Sequence, residues 1–473
     1  MKRRTFLLAG FSGLSVLALA ACTPPTPAPT TTVPGTATPT PTPTATIPAP
    51  AAMQRTAWSV DPYSLGSQSF LAVGATPADR AALGQSVADR IFMAGEATST
   101  DRAGTVTGAW LSGIAAAEAI AEVAQPGERI AILGAGMAGA AAARQLVAAG
   151  FDVVVLEARD RVGGRIETVR DGEWGIPIEL GASLLDDVGG NVLIGELAAL
   201  EITSVLLDTA REVRTGDGAV VTPPSDLAST VEDAIAQSRD SPTDISLDSA
   251  LMELGLPEVT PGPDEPVVTA SQWMDNYVAL EIEQSTGAPA TDLSAQYGWS
   301  PPADSSRRVV VGGFDTIVAS ALNDIDVRLS SAVVGVLLGD DSVGLRFATG
   351  ESFNADRIVV TLPLGVLKSD AIVFDPELPA SHRAAIDSLG MGTQERVVLR
   401  FDEAFWQSDA SQWSVVADDS AFAGWLNLEP LTGEPVLVGT VDADQAARFA
   451  ELADEDVIAE ALASLAPFAV TDS

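Results

Sequence analysis

The most restrictive stretch of this 473-residue chain lies between Arg129 and Glu157. Arg129–Leu133 is a short apolar run of the kind that forms a buried strand. It leads into Gly134-Ala135-Gly136-Met137-Ala138-Gly139, and an alanine-rich helical stretch follows to Ala149. Phe151–Leu156 is a second apolar run, ending at Glu157. Strand, glycine turn, helix and strand in that order form a βαβ dinucleotide-binding unit. Gly134 permits the tight turn, Gly136 lets the backbone approach a pyrophosphate, and Gly139 lets helix and strand pack closely. Met137 and Ala138 open the helix, whose first N–H groups lack intrahelical partners and face the phosphates. Glu157 stands where a carboxylate binds ribose hydroxyls and disfavours a 2′-phosphate.

The next residues select among dinucleotides. Glu157-Ala158-Arg159-Asp160-Arg161-Val162-Gly163-Gly164-Arg165 forms a second glycine-rich turn bearing arginines. An NAD site has no need of it, whereas the longer FAD uses such a second contact. The expected fold class is α/β, an FAD/NAD(P)-binding Rossmann-like domain with an interleaved α+β substrate domain.

Scarcities narrow the chemistry. The chain has one Cys, one His and two Lys (Lys2 and Lys368). Disulfides, Cys/His metal sites, Cys nucleophiles and Ser-His-Asp triads are thereby excluded or nearly so. A formal net charge of −38 argues against nucleic acid as a partner, because phosphate-backbone binding needs a positive footprint.

The single Cys has its own context. Residues 1–22 read as an export signal: Lys2-Arg3-Arg4, an apolar run from Phe6 to Ala21, then Cys22. Arg3-Arg4-Thr5-Phe6-Leu7 resembles a twin-arginine signal, which carries folded, cofactor-loaded proteins. Leu19-Ala20-Ala21-Cys22 resembles a bacterial lipobox, with Cys22 lipidated. Residues 23–52 are uncharged and rich in Thr and Pro, a composition that builds no core and serves as an extended linker. The expectation is an extracytoplasmic protein held to the cell membrane by lipid alone, with its oligomeric state open.

Beyond the glycine turns, the sequence resembles the flavin-containing amine oxidase family over residues 53–473. Glu179-Leu180-Gly181-Ala182-Ser183 resembles the family segment along the flavin ring. Val310–Phe314 and Leu329–Val336 resemble the return to the FAD domain, with Val333 at the adenine-contacting position. Val359–Leu367, including Thr361 and Pro363, and Phe401–Trp406 also match.

Four segments that close the family's chain stand here before the glycine turn. They are Trp58-Ser59-Val60-Asp61-Pro62, Gly66-Ser67-Gln68-Ser69, Phe92-Met93-Ala94-Gly95-Glu96 and Thr105-Val106-Thr107-Gly108-Ala109. This order implies a circular permutation, with the family's last helix joined through Gln125–Glu128 to its first strand. Two geometric expectations follow. Ser473 lies within a loop's span of Met53–Trp58, and Gly95-Glu96 face the same flavin as Gly134–Gly139. The expected domains are FAD-binding at 53–185 (a permuted segment 53–124 plus the dinucleotide unit 128–185) and 301–372, with substrate-domain parts at 186–300 and 373–473.

The resemblance implies FAD, an amine substrate, and O2 or another electron acceptor. Hydride passes from the amine α-carbon to flavin N5, and the imine hydrolyses. Gly95, Glu96, Thr105 and Val106 join the cofactor-binding set. Arg396 stands where many members carry a lysine that holds a water at N5. The family's aromatic pair around the amine is replaced by Gln68 and Thr105, and Thr107 replaces the usual His. Trp58 and Tyr63 are candidate cavity walls. With no Cys in the folded part, the FAD is expected to be non-covalent, and His382 to lie at the surface. Two other readings stay open: a flavin-dependent dehydrogenase or desaturase acting on a non-amine, and a non-catalytic flavoprotein at the cell surface.

Overall fold

The computed structural model describes residues 47–187, 190–256, 259, 266–301, 306–418 and 420–469. Cys22, the signal segment and Ser473 lie outside the described residues.

The apolar runs that open the sequence argument become the centre of a five-stranded parallel sheet. Its order is Asp326–Arg328, Asp152–Leu156, Arg129–Leu133, Arg357–Val360 and Ile91–Met93. Parallel strands covered on both faces read as continuous apolar runs, as Ile130–Leu133 and Val153–Leu156 do. On one face, Val106–Val123 and Met137–Ala148 pack together through small residues such as Gly113, Ala116, Ala140 and Ala141. The other face packs on a four-stranded sheet of Ser352–Ala355, Val343–Phe347, Val333–Leu338 and Val373–Asp375. Gly339 N–H donates to Ser342 O at 3.0 Å, closing the hairpin at Asp340-Asp341.

A second layer is antiparallel. Six strands run in the order Ala52–Arg55, Gln394–Arg400, Val436–Asp442, Gly424–Asn427, Gln412–Val416 and Arg211–Thr215, and only the last pair is parallel. Helices Leu227–Arg239, Leu247–Leu254 and Ala270–Tyr277 share a core that includes Val231, Leu251 and Trp273. A three-stranded sheet of Leu184–Asp186, Arg307–Val310 and Ser204–Leu207 lies at the domain junction.

The pairing moves several sequence boundaries. Ala52–Arg55 joins the substrate-side sheet rather than the FAD side, pairing Ala52 with Arg400 and Arg55 with Val397. Ile47 and Met53 pack on the core of Phe401, Phe449 and Phe468, so the end of the Thr/Pro tract lies on the folded unit. Val373–Asp375 extends the FAD-side sheet beside Gly335–Leu337, and Leu389–Gly392 pairs with Gln68–Leu71. Apolar patterning marks a strand but does not say which distant edge it joins. His382 also differs from its surface expectation. It is buried, with Nε2 3.0 Å from Gln85 O. Its helix Ala380–Ser388 turns His382, Ala385 and Ile386 inward, one i, i+3, i+4 face.

Candidate active site

At the nucleotide end the glycines are fixed by what a side chain would strike. Gly134 has φ +109°, and a Cβ there would sit 2.5 Å from Thr361 Oγ1. A Cβ on Gly139 would lie 2.0 Å from Gly134 O, so helix and turn are in backbone contact. Gly136 differs: the nearest atom to its Cβ position is Gly163 O at 3.8 Å, and the position is otherwise open. The second turn lies against the first through Gly163 N–H to Ala135 O at 2.9 Å. Buried Glu157 accepts from Ala135 N at 2.7 Å and from Arg159 N at 2.8 Å. It therefore braces both turns while lining the cavity between them.

Residues upstream of the glycine turn complete this end. Arg159 Nη2 donates to Asp61 Oδ1 at 2.9 Å and Ser64 Oγ at 2.8 Å, with Tyr63's ring 5.5 Å from the guanidinium carbon. Tyr63 thus packs beside the nucleotide turn. Arg165 Nη1 donates to Ser67 O at 2.7 Å and Glu96 Oε1 at 3.0 Å. Glu96 Oε2 also accepts from Ser69 Oγ at 2.6 Å and Gly104 N at 2.9 Å. Burial pushes the Glu96 carboxyl up, but Arg165, Arg80 and Ser69 outweigh it and hold it below the usual range.

These elements enclose one cavity of about 860 Å³. Gly134, Gly136, Met137, Ala138, Glu157, Ala158, Arg159, Gly163, Gly164 and Arg165 line it; Gly139 lies behind them. Gly181, Ala182, Ser183, Val333, Thr361 and Pro363 line it as well, as do Gly95, Glu96, Thr105 and Val106 from before the glycine turn. Trp58, Gln68 and Arg396 are on its wall.

The far end is built from side chains. Arg396 Nη1 donates to Gly181 O and to Ser183 Oγ, the latter at 2.9 Å. Burial pulls the guanidinium below its ordinary value, and Asp442 and Glu179 oppose this. Burial also pushes Asp442 up to about 7, against a hydrogen bond from Gln394 Nε2 at 2.8 Å. Glu179 is raised to about 7 by burial, although Thr168 Oγ1 and Phe314 N both donate to it. Thr105 caps Val106–Val123: its hydroxyl accepts from Gly108 N at 3.0 Å and donates to Arg102 O at 2.7 Å. Thr107 is buried and turns its hydroxyl to Asn191. Gln68 Nε2 is buried without a hydrogen-bond partner.

Sequence reasoning missed part of this end. Trp299, Trp425, Leu280 and an Arg211–Glu281 ion pair at 2.9 Å line the cavity. They come from four separate segments with no shared motif. The one local sign is that Glu281 lies in a π-helical turn, Val278–Glu283, a feature frequent at functional sites.

A family model described as flavin containing amine oxidoreductase matches residues 38–121, 137–217 and 262–470. The chain belongs to that family. Probable polyamine oxidase 4 of Arabidopsis thaliana is 30% identical over 344 residues, covering 69% of this chain and 68% of that protein. Polyamine oxidase 4 of Oryza sativa subsp. japonica is 30% identical over 353 residues, covering 70% of each. A solved structure of putrescine oxidase bound to putrescine shares the fold, with a TM-score of 0.56 at 22% identity over 72% of this chain and 81% of that one.

As an amine oxidase of this family, the chain takes FAD, and the cavity fits that cofactor. The open Cβ positions at Gly136 and Gly95 give a pyrophosphate and a ring room against bare backbone. Glu157 lines the cavity beside the turn, where its carboxylate would be able to accept from ribose hydroxyls, and the helix start at Met137 has no side-chain cap, which leaves its first N–H groups for phosphate.

Proposed function

We propose that this flavoenzyme oxidises the C–N bond of an extended aliphatic amine, such as a diamine or polyamine. The carrying observation is that one cavity is lined both by the glycine turn and by Trp299, Trp425, Leu280 and Arg396. Gly134, Gly136, the Met137 helix start, Arg159 and Arg165 would hold FAD, which when bound would supply a two-electron acceptor for the amine's α-C–H, with O2 as the final acceptor and water hydrolysing the imine. The protein's task is positioning and electrostatics. Arg396 is held by Gly181 O and Ser183 Oγ through one nitrogen and lines the cavity, where its remaining donors would be able to hold a water. A guanidinium stays charged and is a poor base, so the amine must arrive neutral at the reacting nitrogen. Gln68 and Thr105 supply no aromatic cage, which favours a chain-like amine over a small apolar one.

Anaerobic mixing of the purified holoenzyme with diamines, polyamines, amino acids and benzylamine tests this. Bleaching of the flavin by diamines or polyamines is expected. Bleaching only by a non-amine favours the dehydrogenase or desaturase reading, which the missing cage also suits. A peroxide-coupled assay in air tests O2 as acceptor.

We also propose that the chain is a circular permutation of its family, with its FAD held non-covalently. Support comes from Gly95-Glu96 lining the same cavity as Gly134–Gly136, and from Ile47 and Met53 packing on the core of Phe468. A chain relinked from 473 to 53 and opened within Gln125–Glu128 should fold and bind FAD. Acid precipitation should release all yellow colour into the supernatant. Export as a lipoprotein through Cys22 rests on the sequence; Cys22→Ala should move the protein from the membrane fraction to the soluble one.

A further inference from the structure

Glu395 is fully buried and lines no part of the cavity. It precedes Arg396 on Gln394–Arg400, and strand alternation sends the two side chains to opposite faces. Its carboxylate accepts four hydrogen bonds. Oε2 takes Thr56 Oγ1 at 2.6 Å and Trp58 N at 2.9 Å; Oε1 takes Ser59 N and Ser59 Oγ, both at 2.8 Å. All four donors come from one short segment more than 330 residues away. No cation pairs with Glu395 among the described residues. Oriented N–H and O–H groups take that place and fill the acceptor capacity of an ionised carboxylate.

The segment it holds is a tight turn. Val60 N and Asp61 N both donate to Ala57 O, which leaves the N–H groups of Trp58 and Ser59 free at the turn's start, as at a helix N-terminus. Glu395 caps that start from across the sheet. Two lines run onward from it. Thr56 Oγ1, donating to Glu395, accepts the Arg396 backbone N–H at 2.8 Å, and Thr56 N returns a bond to Arg396 O at 3.0 Å. The turn itself carries Trp58 to the cavity wall, and Asp61 and Ser64 to Arg159 on the second nucleotide turn.

We infer that Glu395 is a positioning residue for both ends of the site. Its carboxylate fixes the Thr56–Ser64 turn, and through that turn it sets the Arg159 contact to the cofactor and the placement of Arg396. The inference rests on FAD occupying the cavity and not on the identity of the amine. Its cofactor arm needs no substrate, so a failure of amine oxidation would be seen separately.

The test uses the full chain, stripped of FAD and reconstituted. Glu395→Gln keeps the shape but loses the charge and one acceptor face, and should weaken FAD binding about tenfold in fluorescence titration. Thr56→Val removes the hydroxyl that links Glu395 to Arg396 N but keeps the Trp58 and Ser59 bonds to Glu395; it should slow anaerobic flavin reduction several-fold and weaken FAD binding less than Glu395→Gln does. Asp61→Asn in the Glu395→Gln background should weaken FAD no further than the stronger single variant, because both act through Arg159. Wild-type FAD affinity in Glu395→Gln overturns the inference, as does strict additivity with Asp61→Asn. An equal loss of FAD affinity and reduction rate in Thr56→Val, tracking a lowered melting temperature, also overturns it.

Discussion

The nucleotide end of the cavity is made largely of backbone, and the substrate end of side chains. At the first, Gly134, Gly136 and Gly163 bring main chain to the surface, and Glu157 braces both turns through N–H groups. At the second, Arg396, Trp299, Trp425, Gln68 and the Arg211–Glu281 pair come from separate elements. Backbone tolerates no change where it touches backbone. A side-chain wall can be exchanged residue by residue, so the first end holds the cofactor and the second is free to change substrate.

The largest expected effects fall on the first end and separate folding from binding there. Gly139→Ala drives a Cβ into Gly134 O, a backbone atom that cannot yield, and should destabilise the apoprotein by about 3 kcal/mol in thermal or urea unfolding. Gly136→Ala adds a Cβ that makes only ordinary contact with Gly163 O, so apoprotein stability should hold while purified protein loses most of its flavin absorbance. Equal behaviour of the two variants would break the comparison.

Arg396→Ala should lower the rate of flavin reduction about tenfold to a hundredfold while leaving FAD content intact, read by stopped-flow absorbance. Loss of FAD instead would place Arg396 with the cofactor-holding end.

A smaller effect concerns pH. Folded Asp442 titrates near 7 against an ordinary 3.8, so between those values the folded state keeps a proton that the unfolded chain has released. Its contribution to stability is full below the ordinary value and is lost as pH rises toward about 7. Glu179, also raised to about 7, acts with the same sign. Asp442→Asn should therefore show a shallower fall in melting temperature between about pH 5 and pH 8 than the wild type.

The smallest effect is expected at Gln68. Its buried Nε2 has no partner, so Gln68→Leu should raise stability by about 1 kcal/mol. A loss of stability would mean that the amide is held in solution by a partner such as ordered water.

The same contrast explains what the sequence discloses. The dinucleotide unit is legible because its requirements are local: a turn, a close approach and a helix start spaced within 29 residues of Arg129–Glu157. The family segments around Gly181 and Gly95 are legible through resemblance, and both meet the cavity. Trp299 and Trp425 are not, because nothing near them distinguishes a cavity tryptophan from a core one such as Trp406. Thr105 shows a different case. By resemblance it stands at a substrate-side position and it lines the cavity, while its hydroxyl caps a helix. Pro379-Ala380-Ser381-His382-Arg383 reads as a surface helix start, and only the bond from His382 to Gln85 O reveals the inward face.

The strand Ala52–Arg55 gives the folded unit a mechanical direction. Along the chain from Ile47, the folded unit is met first at the packing of Ile47 on the Phe401, Phe449 and Phe468 core and then at the pairing of Ala52 with Arg400. Four residue pairs stand between that point and Thr56, where the buried Glu395 carboxylate takes hold. A tug would peel the strand from its Ala52 end and meet the clamp before it reached Trp58. The strand and the clamp thus stand in series between Ile47 and the pocket, so strain entering at Ile47 would have to undo both before it moved Trp58.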